Sequence, residues 1–161
     1  MTILKHKFML DKIGFPLLSA LILSCLFLSL VSLFDRALAV GIIFIVFLTA
    51  TAFLILKKAG FEKKAIYLVF LTAFSIYILA VLFFYYANFQ PFSGGAGDFS
   101  TYNSLGQEIS QRLRHGNFSL NGLAIDTPYT VFIGYIYALV LPETLIARIF
   151  SAFLVAVLVV F

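Results

Sequence analysis

Asp98 is the residue in this chain best placed for acid–base work. It follows Gly94-Gly95-Ala96-Gly97 and opens Asp98-Phe99-Ser100-Thr101-Tyr102, within a polar stretch from Asn88 to Thr127 that apolar sequence flanks on both sides. A carboxylate just beyond an apolar span stands where water, lipid head groups and an acceptor meet. There it can take a proton from a hydroxyl. Aspartate is also among the best helix N-caps, and residue type alone leaves both readings open. Arg112 and Arg114 are charge-assisted donors suited to a phosphate, or to anchoring a helix at an interface. Tyr102 suits either a substrate or the apolar face of a helix. Glu108 reads as a solvated charge, and Asp126, just before Thr127-Pro128, as a helix start or a binding group.

Other chemistry is sparse. His6 and His115 lie far apart, and the single Cys25 sits inside an apolar run. Neither a disulfide framework nor a Cys-rich metal site follows. No cofactor is expected, and a divalent-metal requirement is left open. Asn117-Phe118-Ser119 matches a glycosylation acceptor, a pattern frequent by chance.

The elements that must position Asp98 are greasy. The chain is 63% apolar and 11% charged, against about 45–50% and 25% in a soluble domain. Its net charge of +4 does not mark a nucleic-acid surface, because Lys5, Lys7, Lys12 and Lys57, Lys58, Lys63, Lys64 cluster beside apolar runs. Ile13 to Phe34 carries no charge and is long enough for ~30 Å of hydrocarbon at ~1.5 Å per residue. It is longer than the apolar core of a signal peptide and is read as retained. Further spans are expected at about 37–56, 65–87, 128–141 and 144–161, with Pro142 and Glu143 opening the last. The lysine clusters place the amino terminus and the 57–64 loop in the cytoplasm. Three crossings then put the loop 88–127 outside. Phe161 ends the sequence among apolar residues, which reads as the amino-terminal part of something longer.

Within that loop, Tyr102, Leu105, Ile109 and Leu113 recur at helical spacing. Asn103, Gln107, Ser110, Gln111 and Arg114 fall largely on the opposite face, and Gly116 suits the terminating position. The expected fold is therefore all-α: a polytopic integral membrane protein with about five transmembrane helices. An amphipathic helix lies at the interface in the outer loop after the third.

Two segments resemble integral-membrane glycosyltransferases of the GT-C fold, in the group of protein O-mannosyltransferases and aminoarabinose transferases. One is Asp98-Phe99-Ser100-Thr101-Tyr102 with Leu105, Glu108-Ile109 and Gly116-Asn117-Phe118. The other is Tyr129 to Leu141 with Ala147-Arg148-Ile149-Phe150-Ser151-Ala152-Phe153. The resemblance maps Asp98 onto the family's catalytic acid, whereas Phe99 and Ser100 stand where some members carry acids.

The resemblance implies a plasma-membrane enzyme that moves a sugar from a polyprenyl-phosphate-linked donor to a hydroxyl of a glycan, lipid or protein acceptor. Asp98 would serve as base, and Tyr102, Arg112, Arg114 and Asp126 as substrate-binding residues. Membrane lipids are the other expected partner, and nucleic acid is not one. The competing classes are an accessory or scaffold membrane protein and a fragment of a lipid-linked-sugar transporter. Transport is disfavoured because the first three spans hold no intramembrane acid.

Overall fold

Helices α1 (Ser19–Phe34) and α2 (Arg36–Lys58) are separated by one residue, and that residue is the cap. The computed structural model describes residues 19–61, 63–87, 98–123, 125 and 127–161, and every regular element among them is an α-helix. The carboxylate of Asp35 accepts the Leu38 N–H at 2.9 Å. One of the four donors that a helix start leaves without partners is thereby satisfied. Along α1, Ser29 and Ser32 donate to the carbonyls of Cys25 and Ser29. Their hydroxyls are thus returned to the helix backbone, and the outer surface stays apolar.

The chain divides into two units, 1–39 and 40–161. In the second, α2 ends in a Schellman motif. Phe61 N–H bonds the Leu56 carbonyl at 3.0 Å and Gly60 N–H bonds Lys57 at 3.2 Å. Gly60 takes φ +81°, the left-handed conformation this cap requires. α3 (Lys64–Tyr86) follows, and Tyr67 donates to the Phe61 carbonyl at 2.8 Å, pinning the turn. Phe53 meets Tyr67 and Phe70 edge-on, so the chain folds back on itself here.

α6 (Thr144–Leu158) completes this layer. Phe153 packs on Phe70 and Phe74 of α3, and Phe161, just beyond the helix, packs on Phe61. At the other end, Gly41 of α2 lies against Leu145 and Ile149. α6 therefore runs with α2 and against α3. Leu145, Ile146, Ile149 and Ala156 are buried along its inner face.

α5 (Pro128–Leu139) begins with proline at the first turn, where no N–H is needed. It joins α6 through Tyr129, whose hydroxyl lies 2.8 Å from Ser151 Oγ. The Ser151 proton goes to the Ala147 carbonyl, so Tyr129 is the donor. α4 (Asp98–Arg114) packs on α5. The contacts advance together along both, Tyr102 on Tyr129, Gly106 on Ile133 and Ile109 on Gly134. The two helices run in the same sense, and the 115–127 connection returns the chain.

The expectation of about five transmembrane helices is not met. Among the described residues two helices, α2 and α3, have bilayer length and hydropathy; Pro128–Leu139 and Thr144–Leu158 are shorter, and the first part of the expected span 13–34 lies outside the described residues, which begin at Ser19. The two shorter helices pack against neighbouring helices in 40–161. Helix α6 starts at Thr144, with Glu143 at its N-cap. The count of three crossings before 88–127 loses its basis. With it goes the assignment of a multi-pass plasma-membrane topology with a cytoplasmic amino terminus and an extracytoplasmic loop.

Candidate functional site

The most polar part of the described fold is the seam between α4 and α5, and two glycines create it. Gly106 and Gly134 are both buried and face the opposing helix. A Cβ on Gly134 would lie 2.6 Å from Ile109 Cβ, and one on Gly106 would lie 3.0 Å from Ile133 Cγ2. Glycine costs a helix interior about 1 kcal/mol relative to alanine. Here it lets the two backbones approach closely enough for side chains to bond across them.

Three residues on one edge of α4 use that approach. Asn103 Oδ1 accepts the Tyr137 hydroxyl proton at 2.7 Å. Gln107 Nε2 donates to the Pro142 carbonyl at 3.2 Å. Arg114 Nη2 donates to the Tyr137 carbonyl at 2.8 Å. That carbonyl is in the last turn of α5, where backbone acceptors lack helical partners and a cation is favourable. Ser110 and Thr130 are fully buried in the same seam. Thr130 Oγ1 lies 3.1 Å from Thr127 Oγ1, whereas Ser110 Oγ has no partner among the described residues.

Burial pushes the Tyr137 phenol above its ordinary value of 10.0, Tyr129 and Glu143 add to the shift, and Arg148 opposes it. Burial likewise raises Tyr129, against the lowering effect of its bond to Ser151. Both phenols are held neutral and act as structural donors.

The residues singled out in the sequence fall in different places. Asp98 is the first residue of α4, and its carboxylate lies outside the described side chains, as does all of Asp126. Tyr102 is half-buried, its ring 6.1 Å from that of Tyr129. Arg112 pairs with Glu108 at 2.9 Å and donates to the Asn121 carbonyl at 3.0 Å. Arg114 is engaged by α5. The two arginines thus hold elements of this chain.

The buried face of α4 also differs from the expected one. It is centred on Gly106, Ile109 and Ser110, with Tyr102, Leu105 and Leu113 only half-buried. The expected polar residues Asn103, Gln107 and Arg114 bond to α5 and its continuation. Asn103, Tyr137, Gly106 and Gly134 were therefore missed as a group. Two glycines inside helical sequence were the available signal, since a costly residue there marks close approach.

Among the described residues, no three of His, Cys, Asp and Glu come together as a metal site. An apolar recess of about 10 Å³ between Ala52, Phe70 and Val157 is no larger than a water molecule.

No family model, curated protein or solved structure matches this chain. The resemblance to GT-C glycosyltransferases is therefore corrected: no comparison connects the segments around Asp98 and Arg148 with that family. The inferred sugar transfer falls with it, for the five-span membrane domain that would have housed that chemistry is also missing from the described fold.

Proposed function

We propose that this chain is a helical anchor, seated in lipid through α2 and α3. The observation that carries this reading is the combination of length, hydropathy and exposure in those two helices. Each has 23 residues, with mean hydropathies of 2.8 and 2.5, yet only 28% and 11% of their apolar windows are buried within the protein. A helix of that length spans ~35 Å, enough for ~30 Å of hydrocarbon. A helix that is apolar all round must be covered on every side. Here Val46, Phe47 and Leu54 of α2 and Leu68, Ile76 and Leu79 of α3 all point outward at 60% exposure or more. Exposed apolar surface on this scale marks an interaction site, and acyl chains fit helices that present no polar register.

The fold supports the same reading in its treatment of hydroxyls. Thr49 and Thr51 donate to the carbonyls of Ile45 and Phe47, so α2 offers its surroundings few unsatisfied donors. The seam between α4 and α5 then gives the anchor a fixed polar-bonded element beside the apolar pair.

The test uses the full chain reconstituted in vesicles, with Cys25→Ser and single fluorescent labels at Phe47→Cys or Lys58→Cys. Brominated acyl chains should quench the label at 47 strongly and that at 58 weakly. Quenching of position 47 by an aqueous quencher instead, with none from the acyl chains, would overturn the assignment.

A further inference from the structure

The turn joining α2 to α3 carries a charge pattern that helix stability does not explain. Lys57 and Lys58 close α2, and Lys63 and Lys64 open α3; all four are exposed. Among the described residues the salt bridge is Arg112–Glu108, and none of these lysines takes part in it. Glu62, the acid of the same turn, lies outside the described residues, so four cations face at most one neighbouring anion in the segment.

Two of the four are placed against their own helix. The N-terminal end of a helix is its positive end, where cations are unfavourable. Lys63 occupies the N-cap of α3 without a side-chain cap bond, and the first turn contains no acid. Lys57 and Lys58 are favourably placed at the C-terminal end of α2. The common factor is position: all four lie at the same end of two apolar helices. The turn itself is fixed by the Gly60 cap, by the Tyr67 bond to Phe61 and by the Phe61–Phe161 ring contact.

Resting on the lipid-seated reading above, we infer that this tetralysine turn binds anionic lipid head groups and selects the bilayer surface at which it rests. The partner chemistry is a lipid phosphate carrying net negative charge. The apolar helices fix the turn at head-group depth, and lysine stems are long enough to lie along hydrocarbon while the ammonium groups reach the phosphates. Clusters of four or more basic residues beside apolar spans attract anionic leaflets with about fivefold in affinity per residue. The attraction weakens with salt, since exposed charges are screened beyond about 10 Å at 0.1 M.

The experiment uses the full chain with Cys25→Ser and a donor fluorophore at Ala59→Cys. Vesicles are phosphatidylcholine with phosphatidylserine, and the acceptor is carried by one lipid or the other. Energy transfer should show phosphatidylserine enriched several-fold over phosphatidylcholine around the turn. The enrichment should decline in high salt and disappear in the K57Q/K58Q/K63Q/K64Q variant. Equal transfer to the two lipids, or enrichment that persists in the quadruple variant, would overturn the inference. So would its abolition by inorganic phosphate with ionic strength held constant, which would identify a free-phosphate site. Acyl-chain quenching at position 47, read in the same vesicles, separates the two readings. If it persists while head-group selectivity is missing, only the lysine assignment fails; if it is absent, lipid seating fails as well.

Discussion

Gly134 shows how little room the α4–α5 seam leaves. A methyl group there would meet Ile109 at its branched Cβ, closer than real Cβ contacts come, whereas one at Gly106 would meet the Ile133 γ-methyl at 3.0 Å, a gap that a few tenths of an ångström relieve. Gly134→Ala should therefore destabilise the chain by about 1–3 kcal/mol, the usual range for overpacking. Gly106→Ala should cost less. Thermal unfolding followed by circular dichroism would rank the two, and an unchanged midpoint for Gly134→Ala would contradict the close approach. Tyr137 makes a second residue-level prediction. Its phenol is raised in the folded chain, so below about pH 10 it is neutral in both folded and unfolded states and its contribution is fully present. Above that pH the unfolded phenol ionises first, and stability falls as pH rises toward the higher folded value. Tyr137→Phe should flatten that alkaline decline while lowering stability at neutral pH by about 1 kcal/mol through the lost bond to Asn103.

Helix ends, at the scale of elements, are where local sequence governs most directly. Gly116 was expected to terminate α4. It does so with φ +74°, its N–H bonded to Leu113 and the N–H of Asn117 to Arg112. Asp35 caps α2 through its carboxylate. Asp35→Ala should cost about 1 kcal/mol, typical of a lost cap, and should speed exchange of the Leu38 amide selectively. Uniform exchange along α2 would count against the cap. Helix faces were less legible. The spacing of Tyr102, Leu105, Ile109 and Leu113 gave a plausible apolar stripe, but the helix turned toward Gly106 and Ser110. Periodicity treats Asn103, Gln107 and Arg114 as solvent-facing because it cannot count the acceptors a neighbouring helix will offer. Those three side chains find the Tyr137 hydroxyl, the Pro142 carbonyl and the Tyr137 carbonyl.

For the whole molecule, coverage of apolar surface is the governing requirement. Phe47 is near the middle of α2 and 63% exposed. An aspartate in its place would face hydrocarbon at a cost of about 2.5–3.5 kcal/mol if α2 lies in lipid. Phe47→Asp should then sharply reduce carbonate-resistant association with membranes, while Arg112→Gln should leave it intact. Equal retention of both variants would argue that α2 lies elsewhere.

Taken by itself, the sequence determined that the chain is dominated by apolar runs, where several of the described helices end, and that Lys57, Lys58, Lys63 and Lys64 gather between two of them. These follow from residue type and spacing over one or two turns. Only the tertiary structure decided which runs reach bilayer length, which face of α4 is buried, and that Arg112 and Arg114 hold this chain's own elements. The buried face of α4 and the place of Arg114 depend on close approaches between residues tens of positions apart, such as Gly106 with Ile133 and Tyr137 with Asn103, and no local pattern encodes the partner. Short motifs around Asp98 and Arg148 suggested a family for the same reason: composition fixes what a segment is made of, while packing fixes what it touches.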